Sequence, residues 1–180
     1  YSLYIGIPFC PTTCLYCSFP SFNIALWKER IGEYLSALER ELEETAAIMK
    51  DRILDTVYIG GGTPTSLEAD ELDRLCSAIE KNFDMSTVQE FTVEAGRPDS
   101  ITKEKLQALH RHPITRISVN PQTMKEETLR IIGRHHTVQQ VVDTFLLARE
   151  CGFDNINMDL ILGLPGEDAE DVRRTARKVC

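Results

Sequence analysis

The sequence predicts an α/β domain, a parallel sheet with outer helices made of about five βα units in series, closing into a barrel or most of one. Three observations lead there. Short apolar runs bounded by Gly, Pro or Asn alternate with amphipathic helical patterns along the whole chain. The residues able to do chemistry fall at the C-terminal ends of those runs, where barrels of this kind build their sites. The length, 180 residues, fits one domain with a sizeable core.

In order, the first strand is expected over Leu3 to Ile7, stopped by Pro8 and followed by a cysteine-bearing loop. A long helix follows from about Ala25 to Met49, with Ile31, Tyr34, Leu35, Leu38, Leu42 and Ala46 at helical spacing. Its acidic run Glu39-Arg40-Glu41-Leu42-Glu43-Glu44 reads as the wet face, and Trp27 as packing or as a surface for a flat ligand. Asp55 to Ile59 is the second strand, ended by Gly60-Gly61-Gly62-Thr63-Pro64-Thr65, with Ser66 expected to cap the helix carrying Leu72, Leu75 and Ile79. Phe91 to Val93 is the third strand, ending at Glu94-Ala95-Gly96-Arg97-Pro98, and a short helix spans about Lys103 to Leu109. Arg116 to Val119 is the fourth, ending at Asn120-Pro121-Gln122. Thr123 with Glu126 has capping-box spacing and predicts a helix to about Ile132. Thr137 with Gln140 predicts another, with Val138, Val141, Val142, Phe145 and Ala148 on one face. The fifth strand, Asn155 to Leu160, leads into Leu162-Gly163-Leu164-Pro165-Gly166. The last helix begins near Glu167, acidic at its start and basic at its end, as the helix dipole favours.

A net charge of -8 without a basic stripe disfavours a nucleic-acid partner. No signal peptide and no bilayer-spanning apolar run is read, so a soluble cytoplasmic protein is expected. Six cysteines divide unevenly: three lie in the first 17 residues, while Cys76, Cys151 and Cys180 sit singly in helical segments as small, mostly buried residues. That clustering indicates a metal or cluster loop in a reducing compartment rather than a disulfide framework. Tyr1 starts inside a strand and Cys180 stops inside a helix, so residues 1–180 are expected to be one domain of a longer polypeptide.

Cys10, Cys14 and Cys17 form C-x3-C-x2-C on one loop, a spacing that lets three thiolates converge on one inorganic centre. A disulfide uses only two of them, and a tetrahedral zinc site wants a fourth ligand that no nearby Cys or His supplies. A four-iron cluster held by three cysteines leaves one iron open to a chelating small molecule.

Gly60-Gly61-Gly62-Thr63 lets backbone come close to a ligand or simply makes a sharp turn; it has neither a G-x-G-x-x-G pattern nor a P-loop Lys. Glu94 and Asp159, at strand ends, are able to accept hydrogen bonds from hydroxyl or amino groups, or to serve as rim salt bridges. Gln122 is placed similarly, and Arg134 is able to fork onto a carboxylate. Arg97 is expected to pair with a Glu on the rim in preference to binding an anion. Of the adjacent His135 and His136, neither is expected to be a ligand, and His110 and His112 are expected to be exposed.

Together these residues resemble the radical S-adenosylmethionine (SAM) superfamily, and within it the oxygen-independent coproporphyrinogen III oxidase-like group. The motifs are Tyr4-x-x-Ile7-Pro8-Phe9-Cys10-x3-Cys14-x-Tyr16-Cys17, Gly60-Gly61-Gly62-Thr63-Pro64-Thr65, Val93-Glu94-Ala95, Gln122, Gly133-Arg134, Asn157-x-Asp159-Leu160 and Gly163-Leu164-Pro165-Gly166. Cys17-Ser18-Phe19-Pro20-Ser21 and Glu94-Ala95-Gly96-Arg97-Pro98-Asp99 are most similar to the HemZ-type coproporphyrinogen dehydrogenase branch. The resemblance implies a partial (β/α)6 barrel with a [4Fe-4S] cluster on Cys10, Cys14 and Cys17. It implies SAM contacts from Tyr4, Gly61, Gly62 and Thr63 to the methionine portion, and Tyr16 shielding the cluster and adenine side. It also implies that Glu94, Gln122, Arg134 and Asp159 orient SAM or a second SAM. The implied reaction is decarboxylation of coproporphyrinogen III propionates to vinyls in haem biosynthesis, fed by a flavodoxin- or ferredoxin-like electron donor. Two departures bear on the substrate. Phe19 stands where the best-known oxidases carry a fourth cysteine, as also in the haem-chaperone branch, and Asn120-Pro121 stands where Gly-Val is commoner. A haem-binding protein on this scaffold, and a zinc or electron-transfer domain, remain the competing expectations.

Overall fold

The computed structural model describes residues 1–180. The elements run β1 (Ser2–Ile7), β2 (Phe9–Cys10), β3 (Phe22–Asn23), α1 (Ile24–Trp27), α2 (Ile31–Ile48), β4 (Thr56–Gly61), α3 (Ala69–Asn82), β5 (Glu90–Gly96), α4 (Lys103–His110), β6 (Arg116–Val119), α5 (Glu126–Ile131), α6 (Val138–Glu150), β7 (Ile156–Asn157) and α7 (Ala169–Val179). Five strands form one sheet in the order β1-β4-β5-β6-β7, every pair parallel. The α/β architecture and the five βα units are as the sequence predicts. β2 and β3 add a separate two-stranded clasp at either end of the cysteine loop.

One face of the sheet is sealed by helices. Leu3, Ile5 and Ile7 alternate inward along β1, and with Val57, Ile59, Phe91, Val93 and Ile117 they pack on Leu72, Leu75 and Ile79 of α3 and Leu106 and Leu109 of α4. On the opposite face of β1, Tyr4 stacks on Tyr58, its register partner in β4, with ring centroids 5.9 Å apart. Period-two alternation thus gives one sheet an apolar face for helices and a polar face for the site.

Several boundaries differ from expectation, each for a local reason. The helix expected from Ala25 to Met49 is interrupted by a 3-10 turn over Lys28–Arg30, beside which Trp27 packs on Phe22 and takes the Arg30 guanidinium over its ring. Ser66 does not cap α3. Its hydroxyl reaches the Phe9 carbonyl at 3.3 Å, and Glu68 with Glu71 forms the capping box instead. The Thr123–Glu126 box does not form, because Glu126 accepts from the Val138 N–H and Thr123 bonds Glu167. Thr137 with Gln140 does form its box. On α6 the inner face is Val141, Thr144 and Ala148, and Val142 is exposed, so the apolar stripe sits rotated from the one expected.

The fifth strand, expected from Asn155 to Leu160, keeps only Ile156–Asn157 in the ladder, plus a lone bridge between Gln122 and Leu160. Pro121 has no N–H to offer a neighbour, and the Asn120 side chain takes the Asp159 N–H at 3.2 Å. The chain resumes pairing at Gln122, whose N–H bonds the Asp159 carbonyl at 3.1 Å with φ at 66°. Asn120-Pro121-Gln122 therefore turns the end of the sheet open where its polar side chains gather.

Candidate cofactor site

The cysteine loop is pinned from three sides. The Phe22 N–H bonds the Pro8 carbonyl at 2.8 Å and closes the loop's base. The Leu15 N–H bonds the Ile132 carbonyl at the end of α5, at 3.0 Å. The third side is the glycine run after β4: the Gly62 N–H donates to Ile7 and the Thr63 N–H to Phe9, both at 2.7 Å. A Cβ on Gly61, at φ 110°, would lie 2.8 Å from the Ile7 backbone. A Cβ on Gly62 would lie 2.7 Å from the Phe9 carbonyl and 2.9 Å from Cys10 Sγ. The sequence leaves these glycines either a ligand or a turn; in the structure Gly61 is packed against Ile7 of β1 and Gly62 against Phe9 and Cys10 of β2.

α5 ends in Gly133, at φ 77°, with the Gly133 N–H on the Arg130 carbonyl and the Arg134 N–H on the Leu129 carbonyl. This Schellman cap turns the chain so that Arg134 folds back over the sheet end. Its Nε and Nη2 both donate to the Tyr16 hydroxyl, at 3.1 and 2.8 Å, and its Nη1 to the Asn120 carbonyl at 3.3 Å. Burial pushes the Tyr16 hydroxyl up to about 12, the Arg134 charge opposing it, so Tyr16 stays a neutral acceptor for the guanidinium.

One cleft at the C-terminal ends of the strands is bordered by Cys10, Cys14, Cys17, Tyr16, Gly61, Gly62, Thr63, Glu94, Gln122, Arg134 and Asp159. Of the residues picked from sequence, Tyr4 alone stands outside it. Tyr4 is 63% exposed and reaches the cleft only through Tyr58, whose hydroxyl donates to Glu94 at 2.6 Å. Burial raises the Glu94 carboxyl, and the nearby Asp159 charge adds to that. The sequence reading missed Tyr58, although two-residue alternation from Gly60 places it on the site's face.

Arg97 also departs from expectation. It is 2% exposed and pairs with Asp99 rather than with a Glu, through Nε at 3.0 Å and Nη2 at 2.8 Å. Pro98 after it confines its backbone to the extended region, which directs it under the cysteine loop. His135 is exposed, and His136 is buried with neither ring nitrogen bonded. Desolvation and the Arg134 charge hold His136 neutral, down to about 4. His112, expected in solvent, is enclosed between Asp73 and Glu80, while His110 is exposed and stands edge-on to Phe153. Among the later cysteines Cys76 is buried as expected, Cys151 is half-buried and Cys180 is exposed.

The donor set suits a multi-iron cluster. The three loop thiols are free and border the same cleft. Three thiols on one loop, each able to bind a different iron, are the ligand number that leaves the fourth iron open. Burial pushes the Cys10 thiol up, with the Thr63 hydroxyl and the Arg97 charge opposing.

The chain belongs to the radical SAM superfamily, whose family model matches residues 4–179. The cofactors of that class are a [4Fe-4S] cluster and S-adenosylmethionine. Among relatives, the chain is 49% identical to the oxygen-independent coproporphyrinogen-III oxidase-like protein HemZ of Bacillus subtilis over 97% of its own length and 35% of the relative's. It is 42% identical to the heme chaperone HemW of the same organism, over 92% of this chain and 43% of that one. The solved coproporphyrinogen III oxidase HemN of Escherichia coli superposes with a TM-score of 0.86 at 30% identity, covering 99% of this chain and 41% of that structure. The chain therefore spans well under half the length of these proteins. No helix is long and apolar enough to cross a membrane.

Proposed function

We propose that residues 1–180 are the cofactor-binding core of an enzyme that oxidatively decarboxylates a tetrapyrrole, converting coproporphyrinogen III propionates to vinyls. The observation that carries this is the single cleft in which eleven of the twelve residues chosen from sequence meet. Cys10, Cys14 and Cys17 hold the [4Fe-4S] cluster, and the cluster with SAM supplies the one-electron and hydrogen-abstraction chemistry that loss of CO2 requires.

The chain's own residues bind and orient. Backbone at Gly61 and Gly62 and the Thr63 hydroxyl flank the methionine portion of SAM, and Glu94 and Asp159 accept from its amino and ribose hydroxyl groups. Arg134, held by Tyr16 and Asn120, would meet the carboxylate of SAM. Gln122 completes the orienting set, and Tyr16 covers the loop side. Tyr4 acts on Glu94 only through Tyr58 unless its exposed ring rotates toward the ligand.

A second reading, a haem-binding chaperone on the same core, is favoured by Phe19. It borders the cleft, is 67% exposed, and stands where a fourth cysteine is expected of the oxidases. An anaerobic assay of the full-length protein separates the two. The oxidase reading predicts 5′-deoxyadenosine, methionine and vinyl-bearing porphyrin products from reduced protein, SAM and coproporphyrinogen III. Stoichiometric haem binding without vinyl product establishes the chaperone instead.

A further inference from the structure

Arg97 is the one buried cation beside the cysteine loop that the proposed SAM contacts leave unused. Each of its three nitrogens donates. Nε and Nη2 lie on the two oxygens of Asp99, and Nη1 is shared between the Thr12 carbonyl at 3.2 Å and Cys14 Sγ at 3.5 Å. Its position is built in by sequence: Gly96 turns at φ 65°, Pro98 fixes the extended backbone, and the Arg97 carbonyl receives the Ser100 N–H at 3.0 Å. An arginine buried only to pack the loop needs no donor on sulfur. A guanidinium pinned on one side by a carboxylate, with its free edge against a thiol ligand, is a fixed dipole pointing at the place where negative charge is delivered.

We propose that Arg97, oriented by Asp99, is a positioning residue that donates to the Cys14 thiolate and raises the reduction potential of the cluster. The inference rests on the proposed cluster ligands. A donor on a ligand sulfur disperses negative charge, and the reduced cluster carries one more electron than the oxidised one, so the reduced state gains more. Because Asp99 neutralises the guanidinium, the effect is that of a local hydrogen bond rather than of a full unpaired charge. Arg97→Gln removes the charged fork while keeping a polar side chain. Arg97→Lys keeps the cation but cannot hold Asp99 and reach both Thr12 and Cys14.

The test is an EPR-monitored redox titration of the reconstituted full-length protein, with iron and sulfide counted in each sample. In iron-replete Arg97→Gln the reduction equilibrium is expected to fall about tenfold, which for a one-electron couple is 59 mV to lower potential. Arg97→Lys is expected to fall in between. An unchanged midpoint in an iron-replete variant overturns the inference while leaving the cluster assignment standing. A wild-type protein that takes up no iron overturns the cluster assignment itself. Should neither variant hold its cluster, wild-type protein labelled with guanidino-15N arginine decides: a nitrogen hyperfine coupling in the reduced cluster supports the contact, and its absence refutes it.

Discussion

Gly62→Ala probes the join between fold and site directly. Gly62 does not sit in the left-handed region, so alanine meets no backbone penalty there, and the whole effect is steric. The added Cβ would meet the Phe9 carbonyl oxygen at 2.7 Å and Cys10 Sγ at 2.9 Å, both closer than real Cβ contacts come. The carbonyl cannot retreat cheaply, because it accepts from the Thr63 N–H at 2.7 Å and from the Ser66 hydroxyl at 3.3 Å. Overpacking of this kind costs about 1–3 kcal/mol, and a chain of this size loses about 2–4 °C of Tm for each kcal/mol. The side chain of Cys10 can yield by rotating, which moves a ligand away from the cleft. Urea unfolding of the metal-free chain measures the first effect, and iron bound per chain after reconstitution measures the second. Gly32→Ala is the control, since nothing lies within 4 Å of its Cβ in α2, and a gain of about 0.5–1 kcal/mol is expected from helix propensity. Gly62→Ala with wild-type stability and full iron uptake would refute the packing argument.

Further outcomes follow from the same geometry. Tyr16→Phe removes the oxygen that accepts two Arg134 donors and is expected to cost about 1–3 kcal/mol in urea unfolding, because the buried guanidinium keeps only the Asn120 carbonyl. His136 has its folded pKa lowered to about 4, so its contribution is full above its unfolded value of about 6.5 and is lost as pH falls toward 4. His136→Leu should therefore flatten the stability profile between pH 6.5 and 4, by about 3 kcal/mol relative to wild type in paired urea titrations. Glu94 has a raised folded pKa, so the sign is opposite: stability falls as pH rises through that pKa, and Glu94→Gln removes this component of the slope. Phe91→Ala, at a fully buried position under α3 and α4, is expected to cost about 3–5 kcal/mol in chemical denaturation.

The parallel sheet and its helices were legible because strand and helix periods alternate cleanly from Leu3 to the last helix. The cleft was legible because chemistry-bearing residues close each strand, and topology alone brings strand ends together. Caps were harder to read. Ser66 and Glu126 have the right residue types for their predicted roles, but each is drawn to a backbone group that folding brings near, Phe9 in one case and Val138 in the other. The end of the last strand was lost for a similar reason, since an Asn120 side chain displaced a ladder bond that periodicity cannot see. Arg97 looked like a rim residue because its proximity to Cys14 arises from a contact across 83 positions of sequence. Phe19 was marked by sequence as a departure, and the folded loop places it on the cleft; Tyr58 was readable from strand alternation, and its hydroxyl on Glu94 joins it to the site.

The measurement that bears most directly on the account is iron and sulfide content after anaerobic reconstitution, for wild type and for Cys10→Ala, Cys14→Ala and Cys17→Ala, with SAM cleavage assayed under reduction. About four irons per wild-type chain are expected, with loss of the cluster's spectrum in each variant and 5′-deoxyadenosine from wild type alone. A wild-type chain that binds one zinc and no iron, or variants that keep an intact cluster and cleave SAM, would contradict it.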